Sequence, residues 1–245
     1  MTDTGTAALL ILSIGVFAGA LVSGFAGFAF SAVAGALLLH VLPPEEAVPL
    51  MMMCSIAVQA TSLVVLRRNM NWQGSAIFLA GGALGVPLAL MLLQHTDTQT
   101  FRMGFGAFLA LYSIYMLFRP AAAYLSEIGH WLSDAAVGFA GGLVGGLTAM
   151  PGAVPTMWCD LRGMPKETQR GLVQPFIAAM QIFAIGLLLW QHALPRHLLI
   201  DMTVSLPALA AGTAVGLALF GRMSDAWFRR GLLAVLFAAG FALVI

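Results

Sequence analysis

The sequence predicts an all-α polytopic membrane protein built from two inverted repeats. Three observations support this prediction: an apolar composition, apolar stretches long enough to cross a bilayer, and a glycine, proline and glutamine pattern that occurs twice. Hydrophobic residues make up 60% of the 245 positions and charged residues 9%, and the mean hydropathy is +0.95. A soluble domain of this size cannot bury so much apolar surface in one core. The lipid bilayer is therefore the first partner that the chain requires.

The second half of the chain repeats the first half. A shift of 122 positions places "FAGALVSG" at 17–24 over "FAGGLVGG" at 139–146, and "LPPEE" over "MPKET". Over the fifty aligned positions that start at Phe17, thirteen residues are identical, among them the pair Gln59 and Gln181. A shift of 127 then aligns "FRMGFGAFL" with "FRRGLLAVL". The chain is therefore interpreted as a duplication.

The first repeat, residues 1–118, opens with an apolar stretch that is too long for one crossing. Residues 7–42 would form a helix of about 54 Å at 1.5 Å per residue, whereas a bilayer core is about 30 Å thick. The glycines of "SGFAGF" therefore mark a break in this stretch. Three ordinary spans follow, at 46–66, 74–94 and 100–118.

Residues 119–133 join the repeats and place apolar side chains at helical spacing, which predicts an amphipathic helix at the membrane interface. The second repeat, residues 134–245, starts with another broken stretch at 134–164, where "GGLTAMPGAVP" carries the break. Pro151 has no N–H to donate and suits the first turn of a helix, so a new half-helix is expected there. Three spans complete this repeat, at 168–190, 198–220 and 227–245.

The distribution of arginine and lysine distinguishes a broken stretch that crosses once from one that doubles back. Single crossings would divide the cations four to seven between the two faces, whereas hairpins leave only Arg102 and Arg196 outside against nine cations inside. The stronger bias favours hairpins and inverted repeats, with the N-terminus and the C-terminus outside. No Lys or Arg precedes the first apolar run, so this run is expected to be a membrane helix rather than a signal peptide.

Inverted repeats with interrupted helices are the usual plan of secondary transporters that work by alternating access. Two half-helix N-termini near the midplane would present backbone amides and partial positive charge to a small anion. The glycines could instead serve only close helix packing, and the paired glutamines could either contact the anion or cross-link helices. The predicted substrate-binding residues are Ser23, Gly24, Phe25, Gly27, Phe28, Ser31, Gln59, Thr148, Met150, Pro151, Gly152, Gln174 and Gln181.

The acidic residues all fall near predicted segment ends, so no carboxylate is expected mid-membrane to carry a proton or sodium. An anion that leaves a cell with a negative interior gains about 2.3 kcal/mol per charge per 100 mV, so the membrane potential alone could drive export. Cys54 and Cys159 fit no close-spaced metal motif, and no metal site or cofactor is expected. No hydrolase or zinc-protease motif is present, so an enzyme is not expected. The net charge of +1 gives no reason to expect nucleic acid as a partner.

The chain resembles the sulfite exporter TauE/SafE family of membrane transporters. The resemblance rests on "VFAGALVSGFAGFAF" followed by "LPPEEAV" in the first half, and on "VGFAGGLVGGLTAMPGAVP" followed by "GMPKETQR" in the second. It implies transport of small sulfur-containing or organic anions, such as sulfite or sulfonates, usually outward across the cytoplasmic (inner) membrane of bacteria. The family pattern ends each glycine-rich segment in a proline. The second half keeps Pro151 and Pro155, whereas Ala29 and Val33 occupy the matching places in the first half.

Two other functions stay open at this point, a passive anion channel and a non-transporting membrane subunit. A channel and an uncoupled carrier have similar sequences, whereas a non-transporting subunit would not account for two breaks in register. The sequence also leaves open whether the protein forms a homo-oligomer.

Overall fold

The computed structural model describes residues 3–26, 29–66, 71–118 and 131–220, together with the single positions 237 and 241. These residues form α-helices and no β-strand. The predicted span at 227–245, apart from those two positions, and residues 119–130 of the predicted connector lie outside the described residues. The helices are α1 (Asp3–Ala26), α2 (Phe30–Leu38), α3 (Pro44–Leu66), α4 (Trp72–His95), α5 (Thr98–Phe118), α6 (Trp131–Thr148), α7 (Ala153–Leu161), α8 (Lys166–Trp190) and α9 (Leu198–Phe220).

The helices α3, α4, α5 and α8 begin two residues before the corresponding apolar spans in the sequence. Their first turns hold residues that favour a helix start without being apolar, such as Pro44 at the start of α3. At the start of α5, Asp97 accepts a hydrogen bond of 2.9 Å from the backbone N–H of Thr100. Hydrogen bonds from the side chain and backbone of Thr100 lower the pKa of Asp97. Residues 131–133, assigned to the connector from the sequence, form the first turn of α6.

Three of the helices in the described part of the chain are long and apolar enough to cross a membrane. They correspond to Trp72–His95, Gly171–Trp190 and Leu198–Leu219. A shorter apolar segment of α1, Ala8–Gly24, precedes the first break. Large apolar side chains such as Leu84 and Leu199 are exposed along α4 and α9, as expected where helices face lipid.

The chain divides into two compact units, and these units do not coincide with the two sequence repeats. Unit 1 consists of Met1–Val58, Thr96–Arg119 and Pro195–Ile245, and unit 2 consists of Gln59–His95 and Pro120–Leu194. Among the described helices, unit 1 therefore contains α1, α2, α5, α9 and most of α3, whereas unit 2 contains α4, α6, α7 and α8. Each unit combines helices from both repeats.

In unit 1, α9 packs on α1 through glycines that allow the two backbones to touch. A Cβ atom on Gly212 would meet the carbonyl oxygen of Phe17, and one on Gly216 would meet that of Leu21. The contacts advance in the same direction along both helices, so α1 and α9 are parallel. Small residues are the usual means by which membrane helices approach this closely.

In unit 2, α4 packs on α6 in the same way. A Cβ atom on Gly85 would meet the carbonyl oxygen of Phe139, and one on Gly138 would meet that of Phe78. Phe139 lies 122 positions after Phe17, and Gly85 lies 127 positions before Gly212. These are the two offsets that relate the sequence repeats, so α4 lies on α6 as α9 lies on α1.

The helix α8 also runs parallel to α4 in unit 2. Pro175 has no N–H, which leaves the carbonyl of Gly171 without its helical donor. The backbone N–H of Asn71 donates to this carbonyl at 2.9 Å, and the hydroxyl of Ser75 donates to the carbonyl of Leu172 at 2.6 Å. The helices α4, α6 and α8 therefore begin at the same end of unit 2.

Candidate functional site

The two breaks produce two half-helices of nine residues each, α2 in unit 1 and α7 in unit 2. Each half-helix returns antiparallel to the helix before it. A Cβ atom on Gly19 of α1 would lie 2.8 Å from the carbonyl oxygen of Phe30, and one on Gly15 would lie 3.3 Å from Cβ of Leu37. In unit 2, Gly141 and Gly145 of α6 face Pro151 in the same manner. The glycines therefore allow each hairpin to close.

The first break contains a residue in an uncommon backbone conformation. Ala29, which precedes α2, has φ 74°, in the left-handed region, and only 5% of its surface is exposed. No side chain in the described residues caps α2 at this position. Phe30 and Ser31 in the first turn are also buried. The structure thus places a helix N-terminus in the interior of unit 1 without a capping side chain.

Of the residues predicted to bind substrate near this break, the structure describes the surroundings of three. Ser23 and Ser31 are buried, each with 1% of its surface exposed. Gly24 lies against α9, because a Cβ atom there would be 3.0 Å from the carbonyl oxygen of Thr213. This contact gives Gly24 a packing role. The predicted residues Gly27 and Phe28, and the side chain of Phe25, lie outside the described parts.

The second break is held by several backbone hydrogen bonds. Ala149, the first residue after α6, has φ 57°, and its N–H donates to the carbonyl of Gly145 at 2.8 Å. The N–H of Ala153 donates to the carbonyl of Met150 at 3.2 Å. Gly152 stands at the N-terminus of α7, where again no side chain in the described residues forms a cap. The second half-helix therefore also begins in the interior, uncapped.

The residues predicted at the second break all lie at this turn or beside it. Thr148 ends α6, and its hydroxyl donates to the carbonyl of Val144 at 2.7 Å. Met150, Pro151 and Gly152 are buried and form the connection to α7. A Cβ atom on Gly145 would lie 2.5 Å from that of Pro151, so the proline ring packs directly on the α6 backbone.

The glutamines predicted from the sequence are all buried. Gln181 of α8 donates a hydrogen bond from Nε2 to the carbonyl of Ala149 at 3.1 Å, and so contacts the break itself. Gln174 lies two turns earlier on α8 and is 3% exposed. Gln59, near the end of α3, is 2% exposed.

Sequence reasoning missed two sets of contacts around α7. Gln169 of α8 donates from Nε2 to the carbonyl of Thr156 at 3.0 Å. At the far end of the hairpin, Asp134 of α6 accepts a hydrogen bond of 2.7 Å from Nε1 of Trp158 and pairs with Arg162 at 3.3 Å. Gln169 and Gln181 lie twelve residues apart, about a third of a turn around an α-helix of 3.6 residues per turn, so their spacing gave no signal for the first set. Nothing in the sequence pairs Asp134 with residues more than twenty positions away.

The charged groups of the described residues lie at helix ends. Glu45 and Glu46 fall in the first turn of α3, Asp134 in that of α6, and Asp201 in that of α9. No group of three or more His, Cys, Asp or Glu side chains that could hold a metal ion occurs in the described part of the chain. The backbone dipoles of α2 and α7 place partial positive charge at their N-termini, which lie at the two breaks.

Comparison with known proteins identifies the family of the chain. The family model described as "Sulfite exporter TauE/SafE" matches residues 11–243, nearly the whole chain. The chain belongs to this family. Searches of curated proteins and of solved structures find no match.

Membership confirms the resemblance inferred from the sequence. It implies a membrane transporter for sulfite-type anions, and not an enzyme. The apolar helices of the TauE/SafE protein described above fit that class, since three of them are long enough to span a bilayer.

Proposed function

We propose that this TauE/SafE protein is a secondary transporter that exports small sulfur-containing or organic anions, such as sulfite or sulfonates, across the bacterial cytoplasmic membrane. The family match supports the general class, and the two hairpins with interior half-helices support a carrier. The proposed mechanism is alternating access, in which the two repeats exchange conformations.

A single observation carries the proposed anion site: both half-helices begin in the protein interior without a capping side chain. The first N–H groups of any α-helix lack acceptors within the helix, and a buried end needs some other acceptor. The partial positive charge at the same end favours an anion. A small oxyanion supplies both the acceptor atoms and the negative charge.

The proposed substrate-binding residues are those predicted from the sequence, apart from Gly24, which packs against α9, and Gln181, whose amide binds the carbonyl of Ala149. Around the second break they are grouped within unit 2, where Gln181 contacts the carbonyl of Ala149. Around the first break, Ser31 lies in the first turn of α2. That residues of the first break bind the same anion stays a prediction from the sequence.

We further propose the inverted orientation of the repeats, with the N-terminus and the C-terminus outside. The arrangement of unit 2 supports it, because α4, α6 and α8 begin at the same end, where α7 also ends at Leu161. The basic segments around 67–72 and 160–170 would then share the inner face, in accord with the positive-inside rule.

The membrane potential is the proposed driving force. Within the described residues, the acidic residues lie in the terminal turns of helices or next to helix ends, and Asp201 lies in the first turn of α9. An inside-negative potential contributes about 2.3 kcal/mol per exported charge per 100 mV. Export is therefore expected to respond to the potential and not to a pH gradient.

Transport in proteoliposomes tests the proposal. Vesicles loaded with sulfite, a small alkylsulfonate, sulfate or acetate are given a defined potential, and the anion that leaves is measured. Saturable efflux with counterflow, faster when the protein's inner face is negative, is the expected result. Ohmic current without saturation would replace the carrier with a passive channel, and no movement of any of the four anions would overturn the proposal.

The variants Ala29→Asp and Ala29→Asn test the first half-helix specifically. Both side chains tolerate the left-handed conformation and cap helices well, but only aspartate adds a negative charge where the anion is proposed to bind. We expect Ala29→Asp to lower efflux roughly tenfold or more, because like charges repel strongly at short range. Ala29→Asn serves as the neutral control, and an equal loss in both variants would contradict an anion site at α2.

A further inference from the structure

One row of side chains on α8 follows the second break along its length. Residues at every fourth position of a helix form a continuous row that winds gradually around the helix axis. Four such residues of α8 face the segment from Ala149 to Thr156, with an amide at each end and apolar side chains between. We name these residues the α8 ridge: Gln169, Val173, Ile177 and Gln181.

The contacts of the α8 ridge run along the break in order. Gln181 donates to the carbonyl of Ala149 at 3.1 Å, and Gln169 donates to that of Thr156 at 3.0 Å. Between them, a Cβ atom on Gly152 would meet Ile177 Cδ1 and lie 3.5 Å from Val173 Cγ1. Both amides thus bind backbone carbonyls.

We propose that Gln181 is a positioning residue for anion transport, because its side-chain amide fixes the left-handed turn at Ala149 and so sets the direction of the first turn of α7. This inference rests on the proposed function, since the N-terminus of α7 is where the anion is proposed to bind.

The conformation of Ala149 needs outside support. An L-residue with a Cβ atom is sterically unfavourable at φ 57°, and such residues persist only where their surroundings hold them. The N–H of Ala149 is bound to the carbonyl of Gly145, and its own carbonyl accepts from Gln181. The α6 helix therefore restrains the N–H of Ala149, and Gln181 restrains its carbonyl.

The turn at Ala149 determines where α7 points. Only three residues separate it from Ala153, and one of these, Pro151, has its φ fixed by the ring. A rotation at Ala149 would therefore swing the N-terminus of α7. The partial positive charge of the Gln181 N–H also offsets the partial negative charge of the Ala149 carbonyl oxygen, which would otherwise repel a nearby anion.

The chemistry of the contact selects the variants. Gln181→Met keeps the length of the side chain but removes the donor. Gln181→Asn keeps the amide but is one methylene shorter, and Gln181→Glu offers a carboxylate that repels the Ala149 carbonyl when ionised. Gln181→Met is therefore the primary variant, and the other two separate reach from charge.

Saturable efflux of sulfite, measured in proteoliposomes, provides the first readout. We expect Gln181→Met to raise the half-saturating sulfite concentration about fivefold, the effect of one lost hydrogen bond, while the maximal rate changes less. Gln181→Glu is expected to raise it further. A half-saturating concentration unchanged in both variants would overturn the proposal.

Two further variants, Gln169→Met in α8 and Gln191→Met directly after it, separate positioning from stability. Gln169→Met removes the other amide of the α8 ridge, which binds α7 beyond its first turn, and is expected to lower the thermal midpoint without altering the half-saturating concentration by more than about twofold. Gln191→Met removes an exposed amide that bonds only Gln94 among the contacts of the described residues, and is expected to leave both quantities unchanged. A fivefold effect in Gln169→Met equal to that in Gln181→Met would reduce Gln181 to a general structural role.

Hydrogen exchange of the purified protein gives a readout that does not depend on transport. Gln181→Met should accelerate exchange of the backbone amides of Gly152 and Ala153, whereas Gln191→Met should not. If the wild-type protein moves no anion, the proposed function fails, and the exchange data still decide whether Gln181 holds the turn. Unchanged exchange in Gln181→Met would overturn the positioning role even if transport is found.

Discussion

The two breaks occupy equivalent places in the repeats but are built differently. The helices before them end at Ala26 and Thr148, 122 positions apart, and the helices after them begin at Pro44 and Lys166, also 122 apart. Among the described residues, however, the first break has a positive φ at Ala29, φ 74°, where the second break has Pro151, and the second break has its positive φ at Ala149. The spacing of the helices is thus the same around the two breaks, whereas the backbone conformation at positions 29 and 151 differs.

The supporting residues differ accordingly. In the second break, Pro151 packs on Gly145, which has no side chain to obstruct the ring. The matching positions in the first break are Ala29 and Ser23, so a smaller residue at the turn accompanies a larger one on the preceding helix. The exchange suggests two alternative ways to fill the same space, one with a proline ring and one with a serine hydroxymethyl group.

The first turns of the two half-helices differ in proline content too. In α7, Pro155 has no N–H and the N–H of Ala153 already donates to Met150. In α2, the first turn consists of Phe30, Ser31 and Ala32, each of which keeps its N–H. Of the two half-helices, only α7 therefore has a proline within its first four residues, and the α8 ridge contacts the segment that leads into it.

The largest effect is expected from forcing the family's proline into the first break. Ala29→Pro requires φ near −65° where the backbone has φ 74°, so the turn must rebuild or the hairpin must open. We expect the free energy of unfolding to fall by about 3 kcal/mol or more. In a thermal-unfolding measurement in detergent, the midpoint should fall strongly or the unfolding transition should be lost.

Val33→Pro, at the other place where the first half departs from the family pattern, removes the N–H that bonds the Ala29 carbonyl at 3.3 Å without requiring a positive φ. It therefore serves as the comparison and should cost less. If Ala29→Pro is as stable as the wild type, the two breaks are equivalent after all.

Comparison of the breaks also shows which features the sequence carries. The glycine and proline clusters of the sequence fall where α1 and α6 end. The predicted spans at 46–66 and 168–190 begin two residues after the first residues of α3 and α8. These features could be read because they depend on local backbone constraints. The left-handed conformation of Ala29 could not, since alanine favours φ below zero and only tertiary contacts reverse this preference.

The sequence also did not predict which helices pack against each other. Glycines at every fourth position predict a close contact but do not identify the helix on the other side, so the packing of α9 on α1 and of α4 on α6 emerged only from the structure. The same limit applies to Gln181. Its burial could be predicted, but whether its amide met an anion or a backbone carbonyl depended on the position of Ala149.

A middle-sized effect is expected from transferring the serine of the first break to the second. Gly145→Ser places a Cβ atom 2.5 Å from that of Pro151, and overpacking of this kind costs about 1–3 kcal/mol. Adding Pro151→Ala frees φ at position 151, so that the turn can take up the conformation seen at Ala29. We expect the double variant to be more stable than Gly145→Ser alone in thermal unfolding.

Pro151→Ala alone provides the reference for this cycle, because it removes the ring without adding volume. If the free energy of unfolding of the double variant falls by the sum of the two single-variant decreases, positions 145 and 151 contribute independently. The proposal that a proline ring and a serine side chain fill the same space would then be wrong.

The smallest effect, and the most direct comparison of the two turns, comes from Ala29→Gly and Ala149→Gly. Glycine removes the left-handed penalty of about 1–2 kcal/mol at each site, but it also increases the entropy of the unfolded chain by about 0.5–1 kcal/mol. A net gain of about 0.5–1 kcal/mol in the free energy of unfolding is therefore expected for both variants.

Transport measurements should distinguish the two variants. In Ala149→Gly the hydrogen bond from Gln181 still restrains the turn, so sulfite efflux should be unchanged. Among the bonds of the described residues, no side-chain amide donates to the carbonyl of Ala29. Ala29→Gly should therefore loosen the turn and weaken efflux. Equal transport by both variants would show that the first break is held as firmly as the second, by contacts other than a glutamine.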